Sequence, residues 1–241
     1  MVNVPVIARR ELNAYFLSPM AYIVLTGFAL AHGVFFSIFL SGAGGPIDPD
    51  TTILQCLWLT LYLLLPAAPI VTMRLMSEEE NTGAIQSLLT TPVSDAEVVL
   101  GKYMGALIFT LVMVVPVGFE IGFLAYVAEL DWGMVASGFL GLFLLIAQFL
   151  AVGLLCSALT RVQFASAIMS LVILLGLFFV WLLLRDSTSN LAAALEYLAP
   201  PNHYSSFTNG VIDSRDLIYF AATAVLTLYI TVRVVEYKRW R

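Results

Sequence analysis

Apolar residues run through this chain in long blocks, not in the spaced stripes of a soluble helix. A helix crossing the hydrocarbon core of a bilayer needs about 20 mostly apolar residues. Six blocks meet that need: Ala21–Leu40, Ile53–Met73, Tyr103–Ala128, Met134–Ala158, Phe164–Leu184 and Leu217–Val235. Pro66 and Pro69 in the second block, and Pro116 in the third, predict kinks or ends. They do not exclude spans, because neighbouring helices re-satisfy the backbone groups a proline frees. The pattern predicts an all-α, polytopic membrane protein, one transmembrane domain over residues 1–241 with six transmembrane helices.

The polar connections carry their own patterns. In NVPVIARRELNAYFLSP, a helical winding puts Val4, Ile7, Ala8, Leu12, Tyr15 and Phe16 on one arc, with Arg9, Arg10 and Asn13 on the other. A basic amphipathic helix next to a span is expected to lie in the membrane interface, with Arg9, Arg10, Tyr15 and Phe16 as its contacts with lipid. Ser18-Pro19 then turns the chain into the bilayer. Between the second and third blocks stands MRLMSEEENTGAIQSLLTTPVS. Ser77 and Glu80 have capping-box spacing, and so do Ser94 and Glu97, with Val93 and Val98 as a hydrophobic staple. Ile85, Leu88 and Leu89 share one helical face, Pro92 ends that helix, and Gly83 marks a bend. The expectation is a rigid elbow: a short helix, a sharp turn, and a fresh helix that becomes span three.

Charge fixes the orientation. Only 11% of the residues are charged, against about 25% in soluble domains. Of the 11 Lys and Arg, all but Arg185 and Arg215 fall on the side of the termini. Basic residues stay inside, so both termini are expected in the cytoplasm. The first block is too long for a signal-peptide core, which takes about 7–15 residues, and reads as an uncleaved span. Cys56 and Cys156 lie within apolar blocks and read as packing residues; no run of Cys and His has metal-ligand spacing. The elbow is then cytoplasmic. Its acids, Glu78, Glu79 and Glu80, would be repelled by the negative inner leaflet, so a protein groove fits it better than lipid. Ile85, Leu88 and Leu89 should supply the affinity, at about 1.5–3 kcal/mol for each side chain fully buried.

Three stretches resemble one family. EEENTGAIQSLLTTPVSDAEVVLGKY resembles the cytoplasmic elbow of ABC-2 type transporter permeases, and ARRELNAYFLSPMAYIVL the interfacial helix that leads into their first span. LAPPNHYSSFTNGVIDSRDLIYF resembles the outer loop of the branch that includes gliding-motility-associated permeases. The resemblance implies a non-catalytic membrane subunit in a bacterial-type inner membrane. Its elbow, with Glu78, Glu79, Glu80, Gly83, Ile85, Leu88 and Leu89, would be a coupling helix seated on a separate cytoplasmic ABC ATPase. That partner would hold ATP and Mg and drive export or mechanical work such as gliding. A second permease, identical or different, and an extracytoplasmic-domain subunit are the other partners it implies. This chain has no GxxxxGK[ST] phosphate loop of its own, so no cofactor is expected on it, and nothing points to nucleic acid.

Polar residues at membrane depth are the remaining candidates. Glu120 follows Pro116 in the third block, where a bend or break is expected; it would line a polar path or be satisfied structurally near the interface. His32 would bond between helices or serve the same path. Leu191, Ala194, Leu195 and Leu198 suggest a short helix on the outer surface. Tyr197, His203, Tyr204 and Phe207 suggest an aromatic layer at interface depth. The competing class is an ion-coupled secondary transporter working without an ATPase. It would place several ionisable groups mid-membrane, and this chain has few. An intramembrane enzyme would need GxSxG, HExxH or a metal cluster, and none is present.

Overall fold

Three of the described helices start at a polar side chain that caps them. The computed structural model describes residues 3–41, 48–78, 94–184 and 197–239. Among them all regular structure is helical: α1 (Val4–Phe16), α2 (Pro19–Ser41), α3 (Pro49–Thr72), α4 (Asp95–Val127), α5 (Trp132–Leu159), α6 (Gln163–Leu184), α7 (Pro200–Thr208) and α8 (Ser214–Arg239). Asp48 accepts from the backbone N–H of Asp50 at the start of α3. Asp131 accepts from Gly133 and Met134 at the start of α5. Ser94 and Glu97 close the expected capping box on α4. Val93 and Glu80, the far members of the staple and of the first capping box, lie outside the described residues.

Six helices are long and apolar enough to cross a membrane: α2, α3, α4, α5, α6 and α8. Of their most apolar windows, 61% is buried in α3 and in α5 and 44% in α4, against 17–22% in α2, α6 and α8. The first three therefore make the centre and the other three flank it. α5 packs closely because small residues let its neighbours approach. A Cβ on Gly141 would stand 2.5 Å from the Cβ of Phe207, and one on Gly153 would stand 2.1 Å from Thr72 Oγ1.

Two expectations change here. α4 is one uninterrupted 33-residue helix through both Pro116 and Glu120, so there is no break at Glu120. At 1.5 Å per residue it is about 50 Å long, well beyond the roughly 30 Å hydrocarbon core. Part of it therefore extends past that core, and α1 packs on its first turns. Tyr204, Phe207 and His203 do not form an interfacial layer either. α7 plugs them into the end of the bundle, where Tyr204 and Phe207 are fully buried. The Tyr204 hydroxyl donates to the Leu57 carbonyl oxygen, and Ser137 donates to that of Phe207. Of the four aromatic side chains only Tyr197 is exposed. The expected surface helix falls mostly outside the described residues; Leu198, at its end, is exposed.

Candidate functional site

The α1 end of the bundle is a clamp. Gly101 and Gly105 lie one turn apart on α4 and leave room for a helix backbone, as small-xxx-small pairs do. α1 fills that room. A Cβ on Gly101 would fall 2.6 Å from Ile7 Cβ, and one on Gly105 would fall 2.8 Å from Glu11 Cβ. Between the glycines, Lys102 Nζ meets Glu11 Oε1 at 3.0 Å, with only 2% of the lysine side chain exposed. A buried charge needs such a partner. Asn3 Nδ2 reaches Glu97 Oε2 at 3.3 Å, extending the seam to the first turn of α4. Tyr15 stacks on Phe109 at 4.6 Å, and Phe16 meets the same ring edge-on.

The same clamp holds the end of α3. The last carbonyls of a helix lack partners within it. Here the Tyr15 hydroxyl donates to the Val71 carbonyl oxygen at 2.7 Å. Arg74 lies over the Tyr15 ring and donates to Ser18 Oγ and the Ala14 carbonyl oxygen. Burial pushes the Tyr15 hydroxyl pKa upward, with Arg74 opposing in part. Ser157, on α5, accepts from the backbone N–H groups of Met76 and Ser77 and donates to the Met73 carbonyl oxygen. Ser77 itself donates to the Met73 carbonyl oxygen. Residues 73–78 are thus fastened to α1 on one side and to α5 on the other.

A second polar group joins α2, α3 and α4 farther along. His32 Nδ1 lies 2.5 Å from Glu120 Oε2, and its Nε2 lies 3.0 Å from Thr60 Oγ1. At the opposite end, His203 Nδ1 meets Asp216 Oδ1 at 2.6 Å, its Nε2 meets the Tyr197 carbonyl oxygen at 2.8 Å, and its ring stacks on Tyr219 at 3.8 Å.

The family model for ABC-2 family transporter proteins matches residues 43–235, most of the chain. The chain belongs to that family. It is a multi-pass membrane protein, the permease part of an ABC transporter. Among individually curated proteins, none matches it. The family match begins after α2, so the α1 clamp joins a segment outside the match to two helices inside it.

The ABC-2 permease places its expected site residues in three ways. Glu78 is described and exposed. Glu79, Glu80, Gly83, Ile85, Leu88 and Leu89 lie outside the described residues. Arg9 and Arg10 point outward, but Tyr15 is buried and Phe16 half-buried against α4. The apolar arc of α1 therefore faces protein and not lipid, because two glycines on α4 offer it a closer fit than the bilayer. His32 and Glu120, read separately in the sequence, form one contact. Glu11, Lys102, Thr60, Ser157 and Asp216 went unread. The signal for the first two was present, since Glu11 interrupts the apolar arc of α1 and Lys102 sits inside Gly101-x-x-x-Gly105.

Proposed function

We propose that this permease takes its energy from a separate cytoplasmic ABC ATPase, which holds ATP and Mg, through residues 79–93. The α1 end is then the cytoplasmic end. One observation carries the reading: both feet of that segment stand on the same clamp. Its leading foot, residues 73–78, is tied by Arg74 to α1 and by Ser157 to α5. Its trailing foot, the capped start of α4, is packed on α1 through Gly101, Gly105 and Lys102. Close-packed interiors transmit strain. A push on residues 79–93 would reach α1, α3, α4 and α5 together.

Ile85, Leu88 and Leu89 supply the apolar edge for the ATPase groove, and Glu78 to Glu80 orient it. A second permease copy or homologue completes the pathway. Export is the general task; gliding-type mechanical work with an extracytoplasmic-domain subunit is the narrower one, and it rests on the outer-loop resemblance. The test is co-purification from native membranes. Ile85→Asp or Leu88→Arg should leave the permease inserted and strip away the ATPase. Recovery of the ATPase equal to wild type with both variants would contradict the reading.

A further inference from the structure

The chain has two histidines, and His32 is the one at membrane depth. It is fully buried. It stands nine residues before the end of α2, about 14 Å along the axis. Its surroundings allow its hydrogens to be counted. A threonine hydroxyl has one hydrogen and two lone pairs. That of Thr60 donates to the Cys56 carbonyl oxygen at 2.8 Å, which is an acceptor only. Thr60 therefore offers His32 a lone pair, and His32 Nε2 carries a hydrogen. Nδ1 and Glu120 Oε2, 2.5 Å apart, then share one hydrogen, either as imidazolium with carboxylate or as imidazole with carboxylic acid. Both forms are neutral overall, as suits a group at membrane depth.

Gain and loss of a proton act differently on this contact. Remove the shared hydrogen, and a ring lone pair faces a carboxylate with no donor between them; the contact must open. Add a second hydrogen, and Nδ1–H still finds an acceptor oxygen on the neutral acid. The neighbours offer no replacement. α3 presents Thr60, whose hydrogen is spent, and the Cys56 thiol, within electrostatic reach of Glu120. α2 presents the ring of Phe28, stacked on His32 at 5.7 Å. No other charged group faces the pair among the described residues. Of the Glu120 side chain 11% reaches the surface of the bundle, beside Phe119 and Phe123.

We infer that His32 and Glu120 form a proton-binding site whose single proton, together with the edge-on Phe36–Phe123 contact, holds α2 against α4, and that its loss at alkaline pH loosens the half of α2 remote from α1. The test uses the full chain in lipid nanodiscs, with spin labels on cysteines placed at Ser37 and Tyr126, both exposed; Cys56 and Cys156 are buried. Pulsed-EPR distances are compared at about pH 6 and about pH 10, on either side of the ordinary histidine range. The wild-type pair should give a narrow distance at the lower pH and a broader, longer one at the higher, reversibly. Glu120→Gln, whose amide donates to Nδ1 without a titrating proton, should stay narrow at both. His32→Ala should be broad at both. A wild-type distribution that ignores pH would overturn the inference. So would a Glu120→Gln variant that responds like wild type or is broad throughout, or a His32→Ala variant that stays narrow.

Discussion

The two ends of the bundle are fastened by different chemistry. At the α1 end the fastening is charged and tight. Glu11 and Lys102 pair between two glycines of α4, and Arg74 ties α3 to α1 over the Tyr15 ring. At the α7 end aromatic rings fill most of the seam, beside the His203–Asp216 contact at 2.6 Å. Trp58 stacks on Trp181 at 5.3 Å and meets Tyr204 edge-on, while Phe207 fills the notch at Gly141. Ion pairs and hydrogen bonds hold one geometry and fail when a single partner goes. An apolar plug holds by volume and fails in proportion to the volume removed. The directional fastening stands at residues 73–78 and at the start of α4, on either side of residues 79–93, where the proposed input from an ATPase would need a fixed geometry.

The comparison is broken most severely by deleting one partner at either end. Glu11→Ala takes the Glu11 carboxylate away from the buried Lys102 ammonium, at a cost of about 3–5 kcal/mol in unfolding from mixed micelles. The double variant Glu11→Leu with Lys102→Met should recover most of that loss, because an apolar pair of similar volume removes the charge problem. Phe207→Ala should cost about 3–5 kcal/mol, and no charge change elsewhere should restore it. Gly105→Leu comes next. It drives a side chain into Glu11 and should cost about 1–3 kcal/mol. Gly118→Leu, on the same helix with nothing within 4 Å of its Cβ position, should shift stability by less than about 0.5 kcal/mol. Among the variants that break a contact, the smallest effect is Tyr15→Phe, which frees the Val71 carbonyl oxygen and should cost about 0.5–1.5 kcal/mol. Equal responses of Gly105→Leu and Gly118→Leu would show that α1 is not seated where the glycines place it.

Local signals in the sequence predict local structure well here. The apolar blocks gave the six long helices, the Ser94–Glu97 spacing gave a cap, and the arc on α1 gave the correct buried face. What faced that arc was not legible, because periodicity defines a face and not its partner. Glu11 meets Lys102 across 91 positions, and His32 meets Glu120 across 88; only the folded topology brings them together. The continuity of α4 through Pro116 was misjudged because proline is a weaker breaker among packed apolar helices than in water. The aromatic residues of α7 read as an interfacial belt because composition is the same for a belt and for a plug. Burial alone separates them.

The account turns on energy entering at residues 79–93. A photo-crosslinking residue placed at Leu88 in the complex from native membranes tests this most directly, with one at Tyr126, exposed at the far end of α4, as the control. The account predicts that Leu88 captures an ATPase and Tyr126 does not. Capture of the ATPase from Tyr126, or from neither position in a complex that still contains the ATPase, would contradict it.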